Sequence, residues 1–445
     1  GSWNSDGVIL LGSTLGIQRV SATGGDVVPV TTLDASLHQT SHTWPWFLPD
    51  GRHFLYLARS SQRENTGIYV GSLDSKESRL LVKGDSSPAY ASRYLLYLRE
   101  RSLMAQPFDP DKLQLTGDAF PIEGQVGLNP ANGRAFFSVS VNGTLIYRTG
   151  GAQQTQVTWF DRTGKQISQL GTVALNSSVK LSPDDKHVIV TRWDNQLGTS
   201  DLWLVDEARE TRFTFDPQND SSPVWSPDGG RIAFNSNRSG VVDVYAKPSS
   251  VAGNEELLVQ SNNPKGPHDW SADGQYILYG ELGPATAADI WVLPLFGDHK
   301  PFPFLQTSFA ENSGRFSPDG HWVAYTSNES GVDQIYVRPF PSGAGQSMVS
   351  TNGGSQPRWR ADGKELFYLS PDRKIMAVDI KEDATKFEPG TPKLLFEARM
   401  LIPPGNPTSY EVSRNGQRFL INTPVEQSSA SPLTVVLNWP ALLNK

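Results

Sequence analysis

Trp225-Ser226-Pro227-Asp228-Gly229 returns, with variation, about every 44 residues along the whole chain. Copies read Trp3-Asn-Ser-Asp-Gly7, Phe47-Leu-Pro-Asp-Gly51, Leu181-Ser-Pro-Asp-Asp185, Trp270-Ser-Ala-Asp-Gly274, Phe316-Ser-Pro-Asp-Gly320 and Trp359-Arg-Ala-Asp-Gly363. Weaker ones are Val139-Ser-Val-Asn-Gly143 and Val412-Ser-Arg-Asn-Gly416, and Asp85-Ser-Ser-Pro-Ala-Tyr90 matches Asp220-Ser-Ser-Pro-Val-Trp225. The same programme follows Trp225 and each of the other anchors. Pro-Asp-Gly is a turn, with Pro early and Gly free to take positive φ. Arg231-Ile-Ala-Phe-Asn235 alternates apolar residues as a strand does. A second turn at Asn237-Arg-Ser-Gly240 leads to Val242-Asp-Val-Tyr-Ala246, and Glu256-Leu-Leu-Val259 ends the unit.

Four short antiparallel strands in about 40–45 residues make the blade of a β-propeller. Ten copies of the second and third strands can be counted, with anchors near 3, 47, 90, 139, 181, 225, 270, 316, 359 and 412. The expectation is an all-β chain forming one ring of nine or ten blades over residues 1–445. The alternative is two smaller propellers in tandem, for example units 1–4 and 5–10. The last unit has strands near 409–413, 418–422 and 433–437, then stops. It is therefore expected to be three-stranded, or to gain a short strand from residues 1–5.

Composition narrows the function. Net charge is −7 with both signs interspersed, which argues against nucleic acid and anionic membrane surfaces. The absence of Cys rules out disulfides, cysteine metal sites and thiol catalysis. No apolar run reaches the length of a membrane helix. Gly1-Ser2 resembles a protease-cleavage remnant, and Trp3 enters the first repeat at once, so a longer parent protein is expected.

The Ser-Pro-Asp-Gly anchor, the Asn-x-Ser-Gly turn and the Ile-Tyr or Ile-Trp third strand resemble TolB-type repeats. The order of Trp44-Pro-Trp-Phe-Leu-Pro-Asp-Gly51, Leu103-Met-Ala-Gln-Pro-Phe-Asp109, Thr211-Arg-Phe-Thr-Phe215, Pro357-Arg-Trp-Arg-Ala-Asp-Gly363 and Val435-Val-Leu-Asn-Trp439 is similar to a narrower group. That group is the C-terminal, extracytoplasmic sensor propeller of membrane-anchored bacterial serine/threonine kinases of the acidobacterial type. The resemblance implies a kinase and one membrane helix upstream, and a periplasmic or cell-surface location. This chain itself has no glycine-rich phosphate loop, His-Arg-Asp or Asp-Phe-Gly.

Candidate chemistry is sparse. The repeated Asp residues before Gly bond their own backbone in turns. The anchors Trp225, Trp270, Trp359, Phe316 and Phe47 read as packing between blades. None of the seven histidines has metal-ligand spacing. Prolyl-oligopeptidase-type hydrolases carry similar propellers, but no Gly-x-Ser-x-Gly elbow is present; Gly353-Gly-Ser355-Gln-Pro357 lacks its second Gly. No cofactor is implied. Five residues before each anchor, where the chain should enter the inner strand, stand His42, Asp85, Arg134, Asn176, Asp220, Lys265, Glu311, Gly354 and Pro407. These are mostly polar and differ between units, as a binding surface would. With His268 and Arg358 beside the anchors, they form the candidate channel-mouth ligand site for a small molecule, peptide or protein. The loop Met400–Pro407 is a second candidate contact through exposed apolar residues. Three readings result: a non-enzymatic sensor or interaction propeller, the substrate-gating propeller of a hydrolase, and a TolB-like envelope scaffold.

Overall fold

The anchor motif is a side-chain cage for its own turn. Ser226 accepts the Arg231 N–H at 2.8 Å and donates to Asp228 at 2.5 Å, while Asp228 accepts the Gly230 N–H at 2.9 Å. Gly229 sits at φ 70°, where a side chain would be strained. Ser271 with Asp273, Ser317 with Asp319, and Ser182 with Asp184 repeat the arrangement. The motif thus satisfies the amides of a tight reversal that joins the first and second strands, which is why it recurs from repeat to repeat.

The computed structural model describes residues 1–129, 132–150, 153–194, 198–283, 288–341, 345–382, 386–402, 408–425 and 433–444. The chain is a β-propeller protein of antiparallel sheets, many of them four-stranded, with only 3-10 turns and no α-helix among the described residues. No helix in it is long and apolar enough to cross a membrane. It divides into two compact units, Gln153–Val425 and Gly1–Ala152 with Glu426–Lys445.

The Gln153–Val425 unit is a closed ring of six sheets. The innermost strands of five of them are Asn176–Leu181, Asp220–Trp225, Lys265–Trp270, Glu311–Phe316 and Ser355–Trp359. The sixth sheet takes Tyr410–Val412 and Arg418–Pro424 from late in the chain and Thr155–Asp161 and Gln166–Ala174 from early in it. Each sheet packs on the next, and the sixth packs on the first. Anchors fill the gaps between sheets: Trp225 packs with Ile189, Leu202 and Phe213 of the preceding sheet, and Phe316 with Leu278, Ile290 and Leu305 of its own preceding sheet.

The other unit holds repeats one to four. Val8–Ser13, Gly16–Ser21 and Val28–Pro29, with Ser2–Trp3 on the edge, are joined by the single pair Ser13↔His42 to Gln39–Phe47, His53–Ser60, Gly67–Ser72 and Arg79–Lys83. Ala89–Ala91, Tyr94–Arg99 and Ser102–Asp109 form the next sheet, with Gln114–Leu115 and Phe120–Glu123 at its edge. Phe137–Val139, Leu145–Arg148 and Leu433–Val436 form the last. Trp439 is fully buried against this unit's Tyr94, Leu96 and Leu145.

Two expectations are corrected. A single ring over 1–445 is not formed, because the sixth sheet of the second unit closes on strand Thr155–Asp161. The division falls between repeats four and five. The last repeat is also not three-stranded, and Ser2–Trp3 pairs with its own neighbour Val8–Ser13. The third strands of repeats four and ten have exchanged places. Thr155–Asp161, which follows Leu145–Arg148 in the chain, pairs instead with Arg418–Pro424, and Leu433–Val436, which follows Arg418–Pro424, pairs instead with Leu145–Arg148. Sequence periodicity locates a strand but not its partner, and both strands offer the same alternation.

Candidate functional site

Four of the six inner strands of the ring share an irregularity just before their anchors. Register shifts lie between Ser221 and Val224, Pro267 and Asp269, Asn312 and Arg315, and Ser355 and Arg358. Ser222, Ser313 and Gln356 take φ of 52°, 57° and 57°. Such bulges re-aim the residue that follows and are costly outside glycine. The residues so aimed stand immediately before their anchors: Val224, Asp269, Arg315 and Arg358; Lys180 and Glu411 hold the same place in regularly paired stretches. All but Val224 are charged.

Five sheets bring five charged side chains together. Glu411 Oε1 receives both Lys180 Nζ and Arg358 Nε at 3.1 Å. Arg315 Nη1 lies 3.7 Å from Asp269 Oδ1, and Asp269 Oδ2 accepts the Phe316 N–H at 2.9 Å. Arg358 lies over the ring of Tyr410 at 5.3 Å and donates Nη1 to the Pro357 carbonyl at 2.7 Å. Arg315 Nε and Nη1 and Arg358 Nη2 are buried without any hydrogen-bond partner. Unmade hydrogen bonds of this kind cost about 1–3 kcal/mol each.

The electrostatics follow from burial. Desolvation, reinforced by the Arg315 charge, brings Lys180 down to about 7. Burial and neighbouring Arg358 lower Arg315 to about 10. Burial opposes the Glu411 carboxylate, but Arg358, Lys180 and Arg315 outweigh it and hold its pKa below the usual value. His268 accepts the Gly314 N–H at 3.4 Å, and burial with Arg315 and Lys180 nearby takes it to about 3, so it is neutral.

Of the residues expected at the channel mouth, Arg358 belongs to this cluster and His268 adjoins it. The others are held within their own surroundings. Asn176 accepts from Arg192 at 3.1 Å, Asp220 is paired with Arg238 at 2.9 Å, and Lys265 with Asp243 at 2.7 Å. Glu311 accepts from Thr307 at 2.5 Å. Burial lifts Asp220 to about 6 and also raises Glu311. Gly354 is buried against Ile335 and Tyr368. In the other unit His42 is buried between Thr31 and Gln39, at 2.7 and 2.8 Å, and burial lowers it to about 4. Asp85 makes a 3.4 Å ion pair with Arg63, and Arg134 lies over Trp44 at 5.5 Å. Of the loop 400–407, Met400 is buried and Ile402 exposed; Pro407 lies outside the described residues.

Lys180, Asp269, Arg315 and Glu411 were not among the expected site residues. Their signal was present: a charge one residue before the anchor in five of the last six repeats. At the turn end of the ring a cleft of about 960 Å³ lies between Pro183, Trp225, Asp228, Val251 and Arg414. Among the described residues no cluster of His, Asp and Glu suits a metal ion.

No protein-family model matches the chain. It is 25% identical over 267 residues to an uncharacterized protein of Agrobacterium fabrum, covering 56% of this chain and 85% of that one. It is 37% identical over 93 residues to tricorn protease homolog 1 of Streptomyces coelicolor, which is 20% of this chain and 8% of that protein. Similar solved structures include a putative TolB from Agrobacterium tumefaciens, with a TM-score of 0.48 and 18% identity over 62% of this chain and 100% of that one. TolB from Acinetobacter baumannii gives 0.40 and 14%, over 79% and 76%.

Proposed function

We propose that this chain is a non-enzymatic binding propeller, outside the cytoplasm, that senses a small molecule, peptide or protein for a linked signalling domain. The observation that carries the reading is the convergence of Lys180, Asp269, Arg315, Arg358 and Glu411 from five sheets, with guanidinium donors left unpaired. Binding sites set polar groups in this way, whereas a nucleophilic catalyst needs a nucleophile within reach of a base. The resemblance of its motifs to the sensor propeller of membrane-anchored serine/threonine kinases supplies the expected linkage. Sequencing the reading frame upstream of Trp3 tests that linkage: a kinase domain and one apolar helix are expected, and a bare signal peptide would instead favour a TolB-like scaffold. A panel of fluorogenic peptide and ester substrates, with calorimetry against ATP and magnesium, is expected to give no signal. Reproducible turnover would favour the second reading, the gating propeller of a hydrolase, to which the short match with the tricorn protease homolog lends support.

A further inference from the structure

Charge balance at the ring centre is incomplete. Three cations, Lys180, Arg315 and Arg358, face two anions, Asp269 and Glu411. One positive charge is therefore unmatched whenever Lys180 is protonated. The unmatched charge coincides with unmade hydrogen bonds. Arg315 Nε and Nη1 and Arg358 Nη2 are buried without a hydrogen-bond partner, and both side chains are at least nine-tenths buried. A buried guanidinium that leaves some of its N–H groups without a hydrogen bond is costly, even beside a counter-charge. The bulges at Asn312/Arg315 and Ser355/Arg358, with positive φ at Ser313 and Gln356, hold the two arginines on this axis against that cost. Asp269, with its side chain 22% exposed, brings the cluster to solvent.

We propose that the centre of the Gln153–Val425 ring is a site for one carboxylate group, hydrogen-bonded by the free N–H groups of Arg315 and Arg358 and balanced by Lys180. The inference rests on the binding reading above and names the chemistry of what is bound. One negative charge restores neutrality, whereas a phosphate dianion would overshoot it. Arginine N–H groups and carboxylate oxygens form strong charge-assisted hydrogen bonds. A bound anion also favours the charged form of Lys180, whose proton is otherwise half lost near pH 7. Binding at pH 8 should therefore take up a proton. The carboxylate can belong to a free small acid or to a peptide C-terminus.

The test uses the full chain, with acetate, a tripeptide acid and the same tripeptide as its amide, at constant ionic strength. Chloride and inorganic phosphate serve as competitors in class. The expected result is a saturable rise in melting temperature with acetate, the tripeptide acid or both, and none with the amide. Acetate alone identifies a free acid as the source, and the tripeptide acid alone a peptide terminus. Arg315→Lys and Arg358→Lys should each weaken the response about tenfold or more, as expected for a lost hydrogen bond between charged groups. Calorimetry in two buffers of different ionisation heat should show proton uptake at pH 8 that disappears in Lys180→Met. The proposal is overturned by no saturation with either carboxylate, by an equal response to amide, chloride or phosphate, or by undiminished binding in both folded arginine variants. Should those variants fail to fold, proton uptake by the wild-type chain decides. Failed carboxylate binding in a chain without turnover removes this inference alone; turnover in the substrate panel removes the functional reading beneath it.

Discussion

Ile146 is paired in register with Val435, although all of the Gln153–Val425 unit lies between them in the chain. Nearby in sequence, Thr155 is paired with Pro424. The chain thus leaves one sheet after its second strand, builds a complete ring, and returns to supply the same sheet's third strand. Entrance to the ring and exit from it are side by side.

Because its two ends meet, residues 153–425 should fold when expressed alone. Circular dichroism of that fragment should show a cooperative thermal transition. A fragment that melts without cooperativity would mean that ring closure through Thr155–Asp161 does not suffice.

Trp439→Ala should destabilise the other unit by about 3–5 kcal/mol, as for a fully buried large aromatic. Trp439 is 0% exposed and meets Tyr94 edge to face at 5.7 Å. Urea denaturation read by hydrogen exchange should show peptides of residues 89–148 losing protection while those of 220–325 keep theirs.

Trp225→Ala should cost about 3–5 kcal/mol in the ring for the same reason. Trp225 fills the space between two sheets, and its indole N–H points at the Lys180 carbonyl at 3.4 Å. A change in melting temperature of under a degree or two would place its side chain outside the core.

Lys180 should make ring stability depend on pH. Burial and Arg315 lower its folded pKa from 10.5 to about 7, and Arg358 adds to them against the pull of Glu411 and Asp269; His268 beside it is neutral. Between those values the unfolded chain holds a proton that the folded chain has released. Stability should therefore rise from about pH 7 towards 10.5, by at most about 1.4 kcal/mol per pH unit. Urea midpoints of wild type and Lys180→Met at pH 7 and 9.5 check this: the rise should be smaller in the variant, and an equal rise in both would refute it.

The blade and its turns were legible in the sequence because they are local. Ser226, Asp228 and Gly229 write their own turn, and residues 231–236 alternate as their strand requires. Which strand closes which sheet was not legible, since Val157 and Val435 carry the same apolar pattern and pairing is settled only by the folded unit. The site was half legible. Arg358 was found beside an anchor, but Asn176, Asp220, Lys265 and Glu311 drew notice for their variety. Their variety reflects a different local partner in each: Arg192, Arg238, Asp243 and Thr307. The bulges that bring Arg315 and Arg358 together arise from positive φ at Ser313 and Gln356, residue types that give no sign of it.

The exchange of third strands also sets an order of events during synthesis. A ribosome that has made residues 1–150 has made every described strand of the first unit except Leu433–Val436. That unit must wait, with Leu145–Arg148 lacking its partner, while the whole ring is translated. The ring can close as soon as Arg418–Pro424 emerges. The part of the protein begun first is therefore the part completed last, and the waiting strand edge is the place where a chaperone would be needed most.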